Sequence, residues 1–176
     1  GYDVSHWGLG RNTGFHVRHA EAIERKIRYL HYMTGRKVSL VGWSLGGVFS
    51  LYAALRAPEC VRQVITMGSP FNVFTKGASS VPSFMGGLYR LIAHPKGFMV
   101  HFNRPRARML RQVNALPMPV ACLYGLSDGI VPPDEAVIDD GQHRHENIRV
   151  PASHLGMTVN PMVLWIVADR LAVPED

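Results

Sequence analysis

The sequence predicts an α/β protein with a mostly parallel sheet and flanking helices. Short β-branched runs alternate with segments in which apolar residues recur every three or four positions. Gly42, Gly46 and Gly47 gather where one period gives way to the other, as a tight turn between strand and helix requires. Strand and helix alternating in this rhythm require parallel pairing through right-handed crossovers.

The elements follow in order. The opening Tyr2-Asp3-Val4 reads as a short strand, followed by the glycine-rich turn WGLGRNTG. Val17, Ala20, Ile23, Ile27 and Leu30 then step at helical spacing; Glu21 with Arg25 and Glu24 with Arg28 form i,i+4 pairs, and Gly35 supplies the stop. Val38 to Val41 reads as a strand, and about Leu45 to Leu55 as a helix. Residues 38–55 carry no formal charge, which approaches the length of a membrane span. The change of period, with three serines and three glycines inside the run, favours a buried strand and a buried helix instead.

A third strand, VRQVITM at 61–67, ends in the turn GSP. From Phe71 to about Arg104 the pattern is irregular, and a short helix around Arg106 to Leu116 closes this insertion, which lies between the third and fourth visible strands. PVACLY at 119–124 and NIRV at 147–150 read as further strands. Asn160 and Pro161 form an N-cap and first-turn pair for a helix through Leu171.

A chain of 176 residues is large enough for one domain with a substantial core and too short for two ordinary ones, so a single domain is expected, and 47% hydrophobic with 18% charged residues is a globular composition. Cys60 and Cys122 match no metal spacing and are expected as free thiols. The net charge of +6 comes from one stretch: residues 71–116 hold Lys76, Arg90, Lys96, Arg104, Arg106, Arg108 and Arg111 and no Asp or Glu. No nucleic-acid module or stacking motif accompanies these charges, so nucleic acid is not an expected partner and a solvated face is favoured. No signal peptide is visible, and the chain opens on Gly1.

In such sheets ligands collect at the carboxyl ends of the strands, so candidate residues are sought there. Gly42-Trp43-Ser44-Leu45-Gly46 places one serine on a G-x-S-x-G turn between a strand and a helix. A serine hydroxyl is a poor nucleophile until a base takes its proton, and that base needs a carboxylate to orient it. LYGLSDGIVP puts Asp128 just after the strand 119–124, and VPASHLGM puts His154 just after the strand 147–150. The bland alternatives are a small residue in a tight turn for Ser44, a turn-former for Asp128 and a surface histidine for His154. Asp134, Asp139 and Asp140 are reserve carboxylates, and His143 with His145 makes a weak metal pattern.

GWSLGG, MGSPF at 67–71, YGLSDGIVP and SHLGM with NP shortly after make the chain resemble the α/β-hydrolase superfamily, especially its bacterial esterases and lipases. The resemblance implies an α/β-hydrolase-like fold and a single domain over 1–176, with 71–104 as a cap or lid. Its implied activity is serine-dependent cleavage of carboxylic esters through catalytic Ser44, Asp128 and His154, acting on small-molecule or lipid esters without metal or cofactor. The backbone N–H of Leu45 becomes one oxyanion donor, and the second comes from an earlier loop. His6-Trp7-Gly8-Leu9-Gly10 mimics that loop but is badly placed, since only one helix fits between Gly14 and Lys37. Tyr2-Asp3-Val4 is therefore expected to be a later strand, with the domain N-terminally incomplete. The insertion's apolar residues are expected to line an acyl pocket and its basic residues to face anionic interfaces or substrates; the alternative is a cap that merely covers its own apolar surface. Thioesterase and acyltransferase chemistry use the same residues, and a catalytically silent binding protein or inactive fragment is the alternative of another class.

Overall fold

The computed structural model describes residues 2–10, 17–71, 112–138 and 145–174. Among these residues four parallel strands form one sheet in the order β1 (Val38–Trp43), β2 (Val61–Met67), β3 (Val120–Gly125) and β4 (His145–Val150). Helix α1 (Val17–Thr34) precedes β1, α2 (Leu45–Arg56) joins β1 to β2, and α3 (Pro161–Ala172) follows β4.

Alternation along the central strands builds two cores. Val64, Val120 and Cys122 face the layer of α1 and α2, where Ala20, Ile27, Val48, Phe49 and Leu51 are buried. Ile65, Ala121 and Leu123 face the other way, onto Val163 and Ile166 of α3 and onto Met157. A strand buried on both faces carries apolar residues at nearly every position, which is why VRQVITM and PVACLY read as near-continuous runs. Both cysteines are free and buried. Burial pushes the Cys122 thiol up to about 12, and burial followed by the charge of Glu59 raises that of Cys60.

Three local devices fix the helices. Asn160 Oδ1 accepts from the N–H groups of Met162 (2.9 Å) and Val163 (3.3 Å), so the expected cap of α3 is formed. At the other end Arg62 donates to the carbonyls of Leu171 and Val173, both at 2.9 Å, while its Nε donates to Ser39 Oγ at 2.8 Å. A guanidinium thereby satisfies carbonyls that the end of α3 leaves open and ties α3 to β1 and β2. On α1, Glu24 binds Arg28 at 3.2 Å and also Arg56 of α2.

Two expectations are corrected. Residues 2–4 form no strand: Tyr2 and Val4 are 58% and 86% exposed, and no described strand pairs with them. The residues that follow are held by side chains, with Lys26 Nζ donating to the His6 carbonyl and the Trp7 ring packing 5.9 Å from Phe49. Glu21 and Arg25 form no ion pair, and both stand in water, where such a pair contributes little. Because the opening is not a strand, the expected insertion falls between β2 and β3. Its cap at 71–104 lies outside the described residues except for the buried Phe71; of the short helix expected at 106–116, residues 112–116 are described and 112–114 are helical. Among the described residues no helix is long and apolar enough to cross a membrane.

Candidate active site

Parallel pairing brings the carboxyl ends of all four strands to one edge. Trp43 is in register with Met67, and the Ser44 N–H donates to the Met67 carbonyl at 2.9 Å. The Gly68 N–H likewise donates to the Leu123 carbonyl at 2.9 Å, and Gly125 is in register with Val150. Ser44, Gly68, Asp128 and His154 each lie within a few residues of one of these ends.

Ser44 has φ 53° and ψ −125°, the only positive φ at a non-glycine residue among those described. Such a conformation costs about 1–3 kcal/mol and persists only where its surroundings impose it. The surroundings here are the close approach of α2 to β1 and to the turn after β2. A Cβ on Gly42 would lie 2.4 Å from the Gly47 nitrogen, and one on Gly47 would lie 2.0 Å from Ser69 Oγ, so neither position admits a side chain. Ser44 is half-buried, and its hydroxyl caps no helix N–H and makes no hydrogen bond to a described residue. Leu45 opens α2, so its N–H is one of the donors that a helix does not consume internally.

Asp128 and His154 do meet. His154 Nδ1 lies 2.8 Å from Asp128 Oδ2, and the two side chains are only 6% and 2% exposed. The other carboxylate oxygen accepts from the N–H groups of Ile130 (2.9 Å) and Val131 (2.8 Å). The turn-forming and histidine-binding roles of aspartate are thus divided between its two oxygens. Burial pushes the Asp128 carboxyl up, but the hydrogen bond from His154 and those from Val131 and Ile130 outweigh it and hold the group below the usual carboxylate range. An ionised carboxylate only accepts, so Nδ1 carries the proton, and Nε2 of a neutral ring is left with its lone pair.

Two contributors escaped the sequence reading. Trp43 donates its indole N–H to the His154 carbonyl at 2.9 Å, and its ring lies 5.2 Å from the imidazole at 41°. Gly68, with φ +53°, leaves room for the pair: a Cβ there would stand 2.9 Å from Asp128 Oδ2 and 3.2 Å from His154 Nδ1. Only their positions hinted at this, one beside Ser44 and the other at the end of the strand between those carrying Ser44 and Asp128. Ser44 is joined to the buried pair through its neighbour Trp43 rather than by a hydrogen bond of its own.

Among the other candidates, His145 is buried in β4 with Nε2 3.1 Å from the Asn114 carbonyl. His143, Asp139 and Asp140 lie outside the described residues, and Asp134 sits exposed in a short 3₁₀ turn. The segment His6 to Gly10 folds on itself, with Trp7 Nε1 donating to the Gly10 carbonyl at 2.8 Å.

A parallel sheet with a strained serine and a buried carboxylate–imidazole pair at its carboxyl edge defines an α/β protein of hydrolase architecture. The family model described as alpha/beta hydrolase fold matches residues 1–99, and the chain belongs to that family. No curated protein sequence matches it. Among solved structures it is similar to Aspergillus fumigatus lipase B, with 20% identity and a TM-score of 0.66 over 90% of this chain and 42% of that one. It is also similar to a Bacillus licheniformis lipase in its mature form (17% identity, TM-score 0.64, 88% of this chain and 73% of that one). The esterase domain of a Rhodothermus marinus protein shares 22% identity at a TM-score of 0.61 over 93% of this chain and 67% of that one. The chain thus spans less than half the length of the Aspergillus lipase.

Proposed function

We propose that this chain carries the active site of a serine hydrolase that cleaves carboxylic esters. The observation that supports this most is the buried Asp128–His154 pair, bonded at 2.8 Å at the same sheet edge as the strained Ser44. Ser44 Oγ attacks the acyl carbonyl while His154 Nε2 takes its proton. The Leu45 N–H donates to the oxyanion of the tetrahedral intermediate. Collapse breaks the bond to the alcohol oxygen, which leaves with the proton returned by His154. Water, deprotonated by the same ring, then attacks the acyl-enzyme and releases the carboxylic acid and Ser44. Asp128 keeps the imidazole in the tautomer this requires and stabilises the imidazolium that forms. Hydrogen bonds from a nucleophile to its base are often long without substrate and tighten as the substrate binds, which accommodates a Ser44 hydroxyl bonded to no described residue.

Esters are preferred as substrates because the similar solved proteins are named lipases and an esterase, while thioester cleavage and acyl transfer would use the same groups. The apolar and basic residues of 71–104 are the proposed source of the acyl pocket and of contact with an anionic interface. A second reading, a catalytically silent member of the family, is favoured by the absence of a Ser44 hydrogen bond among the described residues. Labelling with a fluorophosphonate probe decides between them: the wild-type chain is labelled, and Ser44→Ala and His154→Ala are not. A wild-type chain that takes up no probe and hydrolyses no member of an ester series of increasing acyl length overturns the enzyme reading.

A further inference from the structure

We propose that Trp43 is a positioning residue that holds His154 against Ser44, a role that rests on the serine-hydrolase reading above. Two side-chain hydrogen bonds from outside its own loop reach His154 among the described residues. Asp128 holds the ring at Nδ1 at 2.8 Å, and Trp43 holds the backbone carbonyl at 2.9 Å. The remaining bonds of the loop are internal: Asn160 Nδ2 donates to the Pro151 carbonyl at 3.2 Å, and the Met157 N–H to the Ser153 carbonyl at 3.0 Å. They give the loop its shape without placing it relative to β1.

Trp43 supplies that placement twice, with its N–H on the carbonyl and its ring 5.2 Å from the imidazole centroid. It is also the residue immediately before Ser44, and its own backbone is fixed in the sheet opposite Met67. The nucleophile and the residue that must accept its proton are therefore referenced to one point, the last residue of β1. An indole N–H only donates, and in a half-buried setting it keeps a partner that water would otherwise compete for. A loss of well under 1 Å in the placement of a base is enough to slow proton transfer, so a tie of this kind acts on rate rather than on substrate affinity.

The test is Trp43→Phe, which keeps an aromatic ring and removes the N–H, with Trp43→Tyr as a second variant, both read at a temperature where the thermal melt shows them folded. Two quantities are followed: exchange of the His154 Nδ1 proton by NMR on chain labelled with ¹⁵N-histidine, and fluorophosphonate labelling of Ser44 resolved into kinact and KI. The proposal expects exchange to rise about tenfold and kinact to fall about five- to tenfold, the loss that one net hydrogen bond represents, with KI unchanged. Either quantity remaining at its wild-type value overturns the role and leaves Trp43 as core packing. If the wild-type chain itself is not labelled, the serine-hydrolase reading fails, and exchange alone decides whether Trp43 positions His154.

Discussion

Gly68 stands where any side chain would be driven into Asp128, because a Cβ at this position would lie 2.9 Å from Oδ2 with Met157 Sδ at 3.1 Å on another side. Its φ of +53° also belongs to the left-handed region, which alanine enters only at a cost. Gly68→Ala is therefore expected to lower stability by about 1–3 kcal/mol through backbone strain and displacement of the buried pair. Urea denaturation measures the first effect, and the labelling rate of Ser44 is expected to fall with it. A variant that keeps both wild-type stability and wild-type labelling would contradict the crowding described here.

Asp128 gives stability a defined dependence on pH. Its carboxyl titrates below the usual range in the folded chain, whereas in the unfolded chain it titrates near about 3.9. On acidification the unfolded state takes up a proton that the folded state still refuses, so this contribution is complete above about pH 5 and is lost as pH falls through the depressed folded value. Asp128→Asn removes the component and should flatten the decline in urea midpoint between about pH 5 and about pH 2. The slope is reduced rather than abolished, because Glu24, held low first by its hydrogen bond from Arg56, still titrates. The same variant is expected to slow Ser44 labelling by about a thousandfold or more, since an amide no longer fixes the imidazole tautomer.

Strain at Ser44 separates two substitutions that both remove the hydroxyl. Ser44→Ala keeps a Cβ at φ 53°, ψ −125°, while Ser44→Gly relieves it. The glycine variant should be the more stable of the two by about 1 kcal/mol, the relief of strain exceeding the extra entropy of an unfolded glycine. Matched thermal melts check the order, and the reverse order would mean that the turn holds no such strain.

Arg62 ties three groups with one fork. Arg62→Lys retains the charge but cannot reach Ser39, Leu171 and Val173 together. It is expected to cost about 1–2 kcal/mol in urea denaturation. The amides of α3 should lose protection in hydrogen exchange more than those of α2. A neutral outcome would show that the end of α3 is satisfied as well by water.

Much of this was legible in the sequence, because the period of the apolar residues changes wherever the backbone does. VRQVITM forms β2 over the expected residues, and the cap of α3 falls on Asn160 as its side chain requires. The turn at Ser44 was legible for a local reason too, since glycines cluster where a strand must approach a helix. The strand expected at 2–4 was not formed, because β-propensity has no effect without a neighbour to pair with, and Val4 projects into water. Trp43 was illegible for the opposite reason. Its partner is a backbone carbonyl 111 positions away, which any residue type at 154 would have offered. Gly68 was visible as a turn residue, but the carboxylate it accommodates became apparent only in three dimensions.

The seam between β2 and β3 is the narrowest in the sheet. It pairs Val64–Met67 with Val120–Leu123, whereas the seams on either side of it each hold six residue pairs. It also divides the reactive groups, with Ser44 on one side and Asp128 and His154 on the other. Joining the halves means closing residues 68–119 into a loop, an entropic cost met before the seam's bonds repay it. Both cores straddle this seam, Val64 packing with Val120 on one face and Ile65 with Leu123 on the other, so neither half is complete alone and the reactive groups share an edge only when the two are sutured.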